Sequence, residues 1–244
     1  MKKILLVTGG GRGIGAAISR LGAKQGYAVA VNYHNDKNAA EALAQQIGGI
    51  AIQADVSKPE DVTRMFDETE KHFGKITHIA NNAGITGKSS RLVDVEISTI
   101  RDVININLLG KIFVAREAVK RMSTRLGGSG GAIVNLSSAA ALLGSPHEYV
   151  WYAASKGGVE SLTYGLAKEV AEEGIRVNAV VPGMIETEIH EKSTGDAARV
   201  ERIRPNIPMK RIGLPGEIAE AVMFLLGDAS SYTTGACLRV SGGR

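Results

Sequence analysis

One cysteine, no long apolar run and almost no charge imbalance set apart this 244-residue chain by what it lacks. Cys237 has no second cysteine to pair with, so no intrachain disulfide supports the fold. No stretch approaches the length of a membrane span. The apolar run Ile4–Val7 behind the basic start Met1-Lys2-Lys3 is too short for the core of a signal peptide, and a cytoplasmic protein is expected. A net charge of +4 is too small to argue for nucleic acid as a partner, although it suits a small anionic ligand. The five histidines, His34, His72, His78, His147 and His190, show no spacing such as His-x-x-x-His, so no metal centre is expected. Repeats and low-complexity tracts are missing too. So is a linker, because the Gly/Ser-rich stretch Gly127–Gly131 runs straight into a strand pattern. One domain over residues 1–244 follows.

What is present is ordinary for a globular protein, with 44% apolar and 22% charged residues. The 30 glycines exceed average usage without a collagen-like period, and so point to tight turns and close backbone approaches. Short β-branched runs alternate with longer amphipathic stretches. Strands are expected at Ile4–Thr8, Tyr27–Tyr33, Ile50–Ala54, Thr77–Asn81, Ala132–Ser137, Ile175–Val181 and Ala236–Val240. Helices are expected at Ile14–Gln25, Lys37–Ile47, Pro59–Phe73, Ile97–Arg125, Tyr149–Glu173 and Glu217–Leu226, with Pro59 suited to a first turn. This alternation describes an α/β fold, a doubly wound Rossmann-type parallel sheet of seven strands with helices on both faces. Residues 184–210 lack strand character and carry Pro205 and Pro208. A segment of that length in a compact domain reads as a substrate lid.

The segment Thr8-Gly9-Gly10-Gly11-Arg12-Gly13-Ile14-Gly15 lies between the first strand and the first helix. With Ala16 it satisfies the general dinucleotide pattern. Small residues here let the backbone approach a pyrophosphate, which the helix attracts through its free N–H groups and dipole. Glycines alone also suit a tight packing turn; their place between strand and helix points to a dinucleotide cofactor. The second strand ends Val31-Asn32-Tyr33-His34, with no acidic residue before Asp36. An acidic group at that point bonds the ribose 2′-hydroxyl and repels a 2′-phosphate. Its lack, with Arg12 in the first turn and His34 in support, predicts a preference for NADP(H) over NAD(H). The alternative for Arg12 is a solvated loop charge. Asp55 and Val56 follow the third strand, where Asp55 either caps the next turn or bonds the adenine amino group.

Tyr152 and Lys156 are four residues apart in a helical stretch and so share a face. A free tyrosine has a pKa of about 10, and a neighbouring ammonium stabilises its phenolate. Such a pair exchanges protons with an alkoxide or an alcohol. In isolation the spacing equally suits an ordinary amphipathic helix. Ser137 and Ser138 end the fifth strand, where a doubly wound sheet binds its ligands and where a hydroxyl can polarise a carbonyl. Alone they suit a turn.

Taken in order, Thr8-Gly-x-x-x-Gly13-x-Gly15, Asn81-Asn82-Ala83-Gly84, Asn107, Ser138, Tyr152-x-x-x-Lys156 and Pro182-Gly183 resemble the motifs of the classical short-chain dehydrogenases/reductases over nearly the whole chain. The resemblance implies hydride transfer between a nicotinamide and a carbonyl or secondary alcohol, with Tyr152 as acid/base. Lys156 would lower its pKa and hold the nicotinamide ribose, and Ser138, rather than Ser137, would polarise the carbonyl. Asn107 would anchor a water in a proton relay, with Asn105 as the competing residue. Asn81-Asn82-Ala83-Gly84 would brace the central strands and pass near the adenosine ribose. Pro182, Gly183, Ile185 and Thr187 would grip the carboxamide. A homotetramer is implied, with apolar residues such as Val159 and Leu162 pairing between subunits.

The resemblance leaves the substrate open between a 3-oxoacyl carrier-protein reductase, a glucose dehydrogenase and a group of uncharacterised bacterial oxidoreductases, to which the chain looks closer. Against the first stand the acidic pair Glu172-Glu173, which would repel an acidic partner, and a Ser138–Tyr152 separation one residue longer than that group's. His147, Trp151, Met184, His190 and Met209 are candidate pocket residues. Trp151 either lines the pocket or packs at a helix start. A non-catalytic, NADP-sensing regulator is the alternative of another class, although such proteins usually lose part of the Ser–Tyr–Lys set, which is complete here.

Overall fold

The computed structural model describes residues 3–187 and 199–244. Its β-branched and leucine-rich runs form strands β1 (Ile4–Val7), β2 (Ala28–Tyr33), β3 (Ile50–Gln53), β4 (His78–Asn81), β5 (Gly131–Leu136), β6 (Ile175–Pro182) and β7 (Cys237–Val240). They pair in parallel in the order β3-β2-β1-β4-β5-β6-β7. The helices are α1 (Gly13–Lys24), α2 (Lys37–Ile47), α3 (Pro59–Phe73), α4 (Ile97–Ile104), α5 (Gly110–Met122), α6 (Ala140–Leu143), α7 (Val150–Val170), α8 (Arg199–Ile203) and α9 (Pro215–Leu226). The doubly wound seven-stranded architecture expected from the alternation is the one observed. No helix among the described residues is long and apolar enough to cross a membrane.

Each central strand is buried on both sides. In β1, Leu5 and Val7 face a core layer shared with Ile18 of α1, Leu43 of α2 and Val222 of α9. Ile4 and Leu6 face the opposite layer with Val62 and Phe66 of α3 and Val114 of α5. The strand period of two thus feeds both layers, which is why these strands read as continuous apolar runs. A third, smaller cluster joins Val103, Tyr149 and Trp151.

Two expected helices differ in form. The stretch begun at Ile97 is interrupted by a π-helical turn at Asn105–Leu109 and ends at Met122. The one expected at Tyr149–Glu173 is α-helical only over Val150–Val170 and tightens into a 3-10 turn at Ala171–Glu173. Val159 is fully buried inside the chain, so it is core and not an intersubunit residue. Helix α6 lies between the expected fifth strand and the helix expected from Tyr149, and α8 lies within the expected lid. Of the expected lid at 184–210, residues 188–198 lie outside the described residues, and His190 with them.

Candidate active site

Strand order reverses between β1 and β4, and a cleft of about 1000 Å³ opens beyond the carboxyl ends of the strands there. The glycine turn after β1 lines one part of it. A Cβ on Gly15 would stand 2.1 Å from the Gly9 carbonyl oxygen, so only glycine lets the turn fold this tightly. Helix α1 then starts with no side-chain cap and no acidic residue in its first turn, which leaves its positive end toward the cleft uncompensated. Asn82 ties this turn to β4: its Nδ2 donates to the carbonyls of Thr8 (2.9 Å) and Gly9 (3.1 Å). The Thr8 hydroxyl accepts from the backbone N–H groups of Asn82 and Ala83. Deeper, Asn81 donates to Asn135 Oδ1 (3.0 Å), joining β4 to β5.

At the end of β2 the expected residues divide by task. Asn32 is buried; its Oδ1 accepts from the Gly9 N–H and its Nδ2 donates to the carbonyls of Tyr33, Ile52 and Ala54. Its side chain is committed to holding the turn. Arg12 forms an ion pair with Asp36 (3.0 Å), while Asp36 also caps α2 by accepting from Ala39 N–H. Asp55 splits its carboxylate: Oδ1 accepts from the N–H and hydroxyl of Ser57, and Oδ2 stands 4.0 Å from His34 Nε2. It therefore does cap the next turn. Tyr33, His34 and Val56 line the cleft beside these groups.

Past β5, the two serines part. Ser137 donates to the Lys156 carbonyl (3.2 Å) and Glu160 (2.9 Å) and is buried. Ser138 accepts from Ala140 N–H (3.2 Å) and lines the cleft with Tyr152. Burial pushes the Tyr152 pKa up, and the Ser138 hydroxyl offsets part of that rise. Lys156, expected to lower it, donates to the Leu136 carbonyl (2.9 Å), with Nζ 5.4 Å from the Tyr152 ring centroid. Burial lowers its own pKa to about 8. Asn107 sits in the π-helical turn and is fully buried, whereas Asn105 is exposed. Its amide clamps Ile85, accepting from the N–H and donating to the carbonyl (both 2.8 Å), and donates to Ser155 (3.1 Å). A Cβ on Gly84 would meet Asn107 Oδ1 at 3.1 Å and Lys156 Nζ at 3.5 Å, so Gly84 lets these groups come together.

The wall opposite is the chain after β6. Pro182, Gly183, Met184, Ile185 and Thr187 line the cleft. Ile185 bridges to Gly213, and Thr187 lies 3.4 Å from the Cβ position of Gly13, directly across the glycine turn.

A family model described as Enoyl-(Acyl carrier protein) reductase matches residues 9–244. An "Uncharacterized oxidoreductase YgfF" of Escherichia coli (strain K12) is 48% identical over 99% of each chain. A human "3-oxoacyl-[acyl-carrier-protein] reductase" is 40% identical over 100% of this chain and 98% of that one. The chain belongs to the short-chain dehydrogenase/reductase family. The solved structure of a dehydrogenase/reductase from Sinorhizobium meliloti 1021 superposes with a TM-score of 0.90, at 32% identity, over 99% of this chain and 94% of that one.

As a short-chain dehydrogenase/reductase the protein is a nicotinamide-dependent oxidoreductase acting on a small molecule. Its substrate end corrects several expectations. Trp151 is buried, donates from Nε1 to the Thr86 carbonyl (3.0 Å) and packs on Val103, so it is a core residue. His147 is exposed on a left-handed turn and does not line the cleft. Met209 lines an adjoining groove with Arg211 and Arg239, which shares Met184, Ile185 and Arg244 with the cleft. Met184 alone of the described candidates lines the active-site cleft. Glu148, Tyr149 and Arg199 line it as well and were not expected; the sequence places Arg199 fifty residues from its partners, with no motif to join them. The acidic pair is also not bare, since Arg125 reaches Glu172 (2.6 Å) and Glu173 (3.8 Å).

Proposed function

We propose that this dehydrogenase/reductase reduces a carbonyl compound to a secondary alcohol at the expense of NADPH, with Tyr152 giving the proton. The observation that carries this reading is the convergence of Ser138, Tyr152 and Lys156 at one end of the cleft that begins at the glycine turn. The residues fit the cofactor. Gly15 lets the turn close on Gly9 and Asn82, the uncapped start of α1 beside it favours the charge of a pyrophosphate, and the cleft continues without interruption to Tyr152. When bound, the nicotinamide supplies the hydride.

Every other task falls to the chain. Ser138 donates to the substrate carbonyl and draws charge to its oxygen. Tyr152 then protonates that oxygen as it becomes an alkoxide. A phenol whose pKa burial has raised stays protonated at neutral pH, the form reduction requires. Lys156, anchored on Leu136, holds the nicotinamide ribose beside it. Asn107 fixes the Ile85 backbone behind the pair and, through the turn it occupies, the relay that returns the proton. Pro182, Gly183, Ile185 and Thr187 hold the carboxamide. Arg12 and His34 at the β2 end favour the 2′-phosphate, and Asp55 and Val56 face the adenine. The chain works as one domain with residues 184–210 as its lid, in the cytoplasm, as a homotetramer measurable by light scattering.

A 3-oxoacyl thioester is a second reading, because Arg125 offsets the acidic pair that argues against an acidic carrier. A panel of aldehydes, ketones, quinones, sugars and 3-oxoacyl thioesters, followed by loss of NADPH absorbance, tests both. Turnover of one class supports carbonyl reduction and names its substrate; no turnover of any, with NADPH bound, would make the protein a sensor and sink the proposal.

A further inference from the structure

Among the described residues, three acidic side chains line the cleft. Asp36 and Asp55 stand near the ends of β2 and β3; Glu148 stands beside the reacting end. The backbone is bent to put it there. Ser145 and His147 both adopt left-handed φ values (46° and 64°), unusual for residues other than glycine, and the Glu148 carbonyl is pinned by the Ser90 N–H (2.8 Å). The next residue, Tyr149, packs edge to face on Tyr152 with ring centroids 5.6 Å apart.

Glu148 is held from one side by a single fork. Arg199 Nε donates to Oε1 (2.9 Å) and Nη2 to Oε2 (2.7 Å), and Nη2 also donates to the Tyr149 hydroxyl. The Arg199 side chain is only 6% exposed, whereas that of Glu148 is 36% exposed. The guanidinium is therefore spent inside the wall and the carboxylate is the partner that meets the cleft. Arg199 places one donor on each carboxylate oxygen, and the side of the group exposed to the cleft keeps acceptor capacity. Arg199, with Arg244 nearby, keeps the group ionised and an acceptor only.

We infer that Glu148 is a specificity-determining residue: its carboxylate, aimed by Arg199, accepts a hydrogen bond from a hydroxyl that the substrate carries next to the carbonyl reduced at Tyr152. The substrate class is then a neutral hydroxylated ketone or aldehyde. A carboxylate on the substrate would meet Glu148 as a like charge, and an ammonium would be opposed by Arg199 and Arg244. This inference rests on the proposed carbonyl reduction.

Matched pairs that exchange a hydroxyl for a methyl group test it: hydroxyacetone against butanone, and 2-hydroxycyclohexanone against 2-methylcyclohexanone, each with NADPH. The wild-type protein should prefer the hydroxylated member in kcat/KM by about tenfold or more, the usual worth of a hydrogen bond to a charged group. In Glu148→Met, which keeps the length of the side chain and loses its acceptors, the ratio should fall to near one. Should that variant not fold, Arg199→Lys, which keeps the carboxylate and loses the fork, should lower the ratio several-fold. A wild-type ratio near one, or a preference unchanged in these variants, overturns the inference and leaves carbonyl reduction standing. Failure of all four compounds, together with the wider carbonyl panel, overturns carbonyl reduction itself.

Discussion

Arg12 illustrates how a single residue carries two meanings until its neighbours are seen. Sequence offers it to a 2′-phosphate; the fold shows it ion-paired with Asp36, 3.0 Å away and about half exposed. An exposed pair of this kind contributes little to stability, so a doubly charged phosphate competes with Asp36 for the guanidinium at small cost. Asp36→Asn keeps an oxygen to cap α2 and removes the competing charge. NADPH should bind that variant several-fold tighter and NADH about as before, by fluorescence titration; equal effects on the two would show that Arg12 does not read the phosphate. Asn32 shows the opposite case. Its position at the strand end was legible, but its four hydrogen bonds to backbone were not, because they join three separate segments. Glu148 and Arg199 escaped sequence reading for the same reason: an ion pair across fifty residues leaves no local period.

At the scale of elements, the strands and helices were legible because each central strand is buried on both faces and the long helices bury one face. The π-helical turn at Asn105–Leu109 was not, since a one-residue widening changes the hydrogen bonds of a helix without changing its apolar pattern. That turn places Asn107 inward, where a regular helical reading left Asn105 as its rival. The turn between β1 and α1 is tightly constrained. Gly15→Ala would drive a methyl group to 2.1 Å from the Gly9 carbonyl oxygen. The backbone has to move, at about 1–3 kcal/mol for forced overpacking, and NADPH affinity should fall at least tenfold. Calorimetry measures both effects; a variant with unaltered melting and unaltered affinity would show that the turn is not closed as described.

The whole molecule stores a pH dependence in its central sheet. His78 on β4 is buried against the Tyr27 ring, and burial holds its pKa near 4, below the ordinary value of 6.5. The unfolded chain therefore takes up this proton first. Stability is complete above pH 6.5 and is lost as pH falls toward 4, by up to about 3 kcal/mol. Urea unfolding of the wild type should weaken over this window, and His78→Leu should flatten the slope; identical slopes would place the acid sensitivity elsewhere. Ser138 beyond the carboxyl end of β5 meets Tyr152 and Lys156 of α7 in one cleft, and the proposed reaction turns on the phenol of Tyr152. Tyr152→Phe removes one oxygen and leaves the ring, its contact with Tyr149 and the cofactor cleft. Side by side, NADPH binding and carbonyl turnover of this variant should separate: affinity within a few-fold of the wild type, turnover lower by about a thousandfold or more, within the range for a lost general acid. Turnover within tenfold of the wild type would contradict the account.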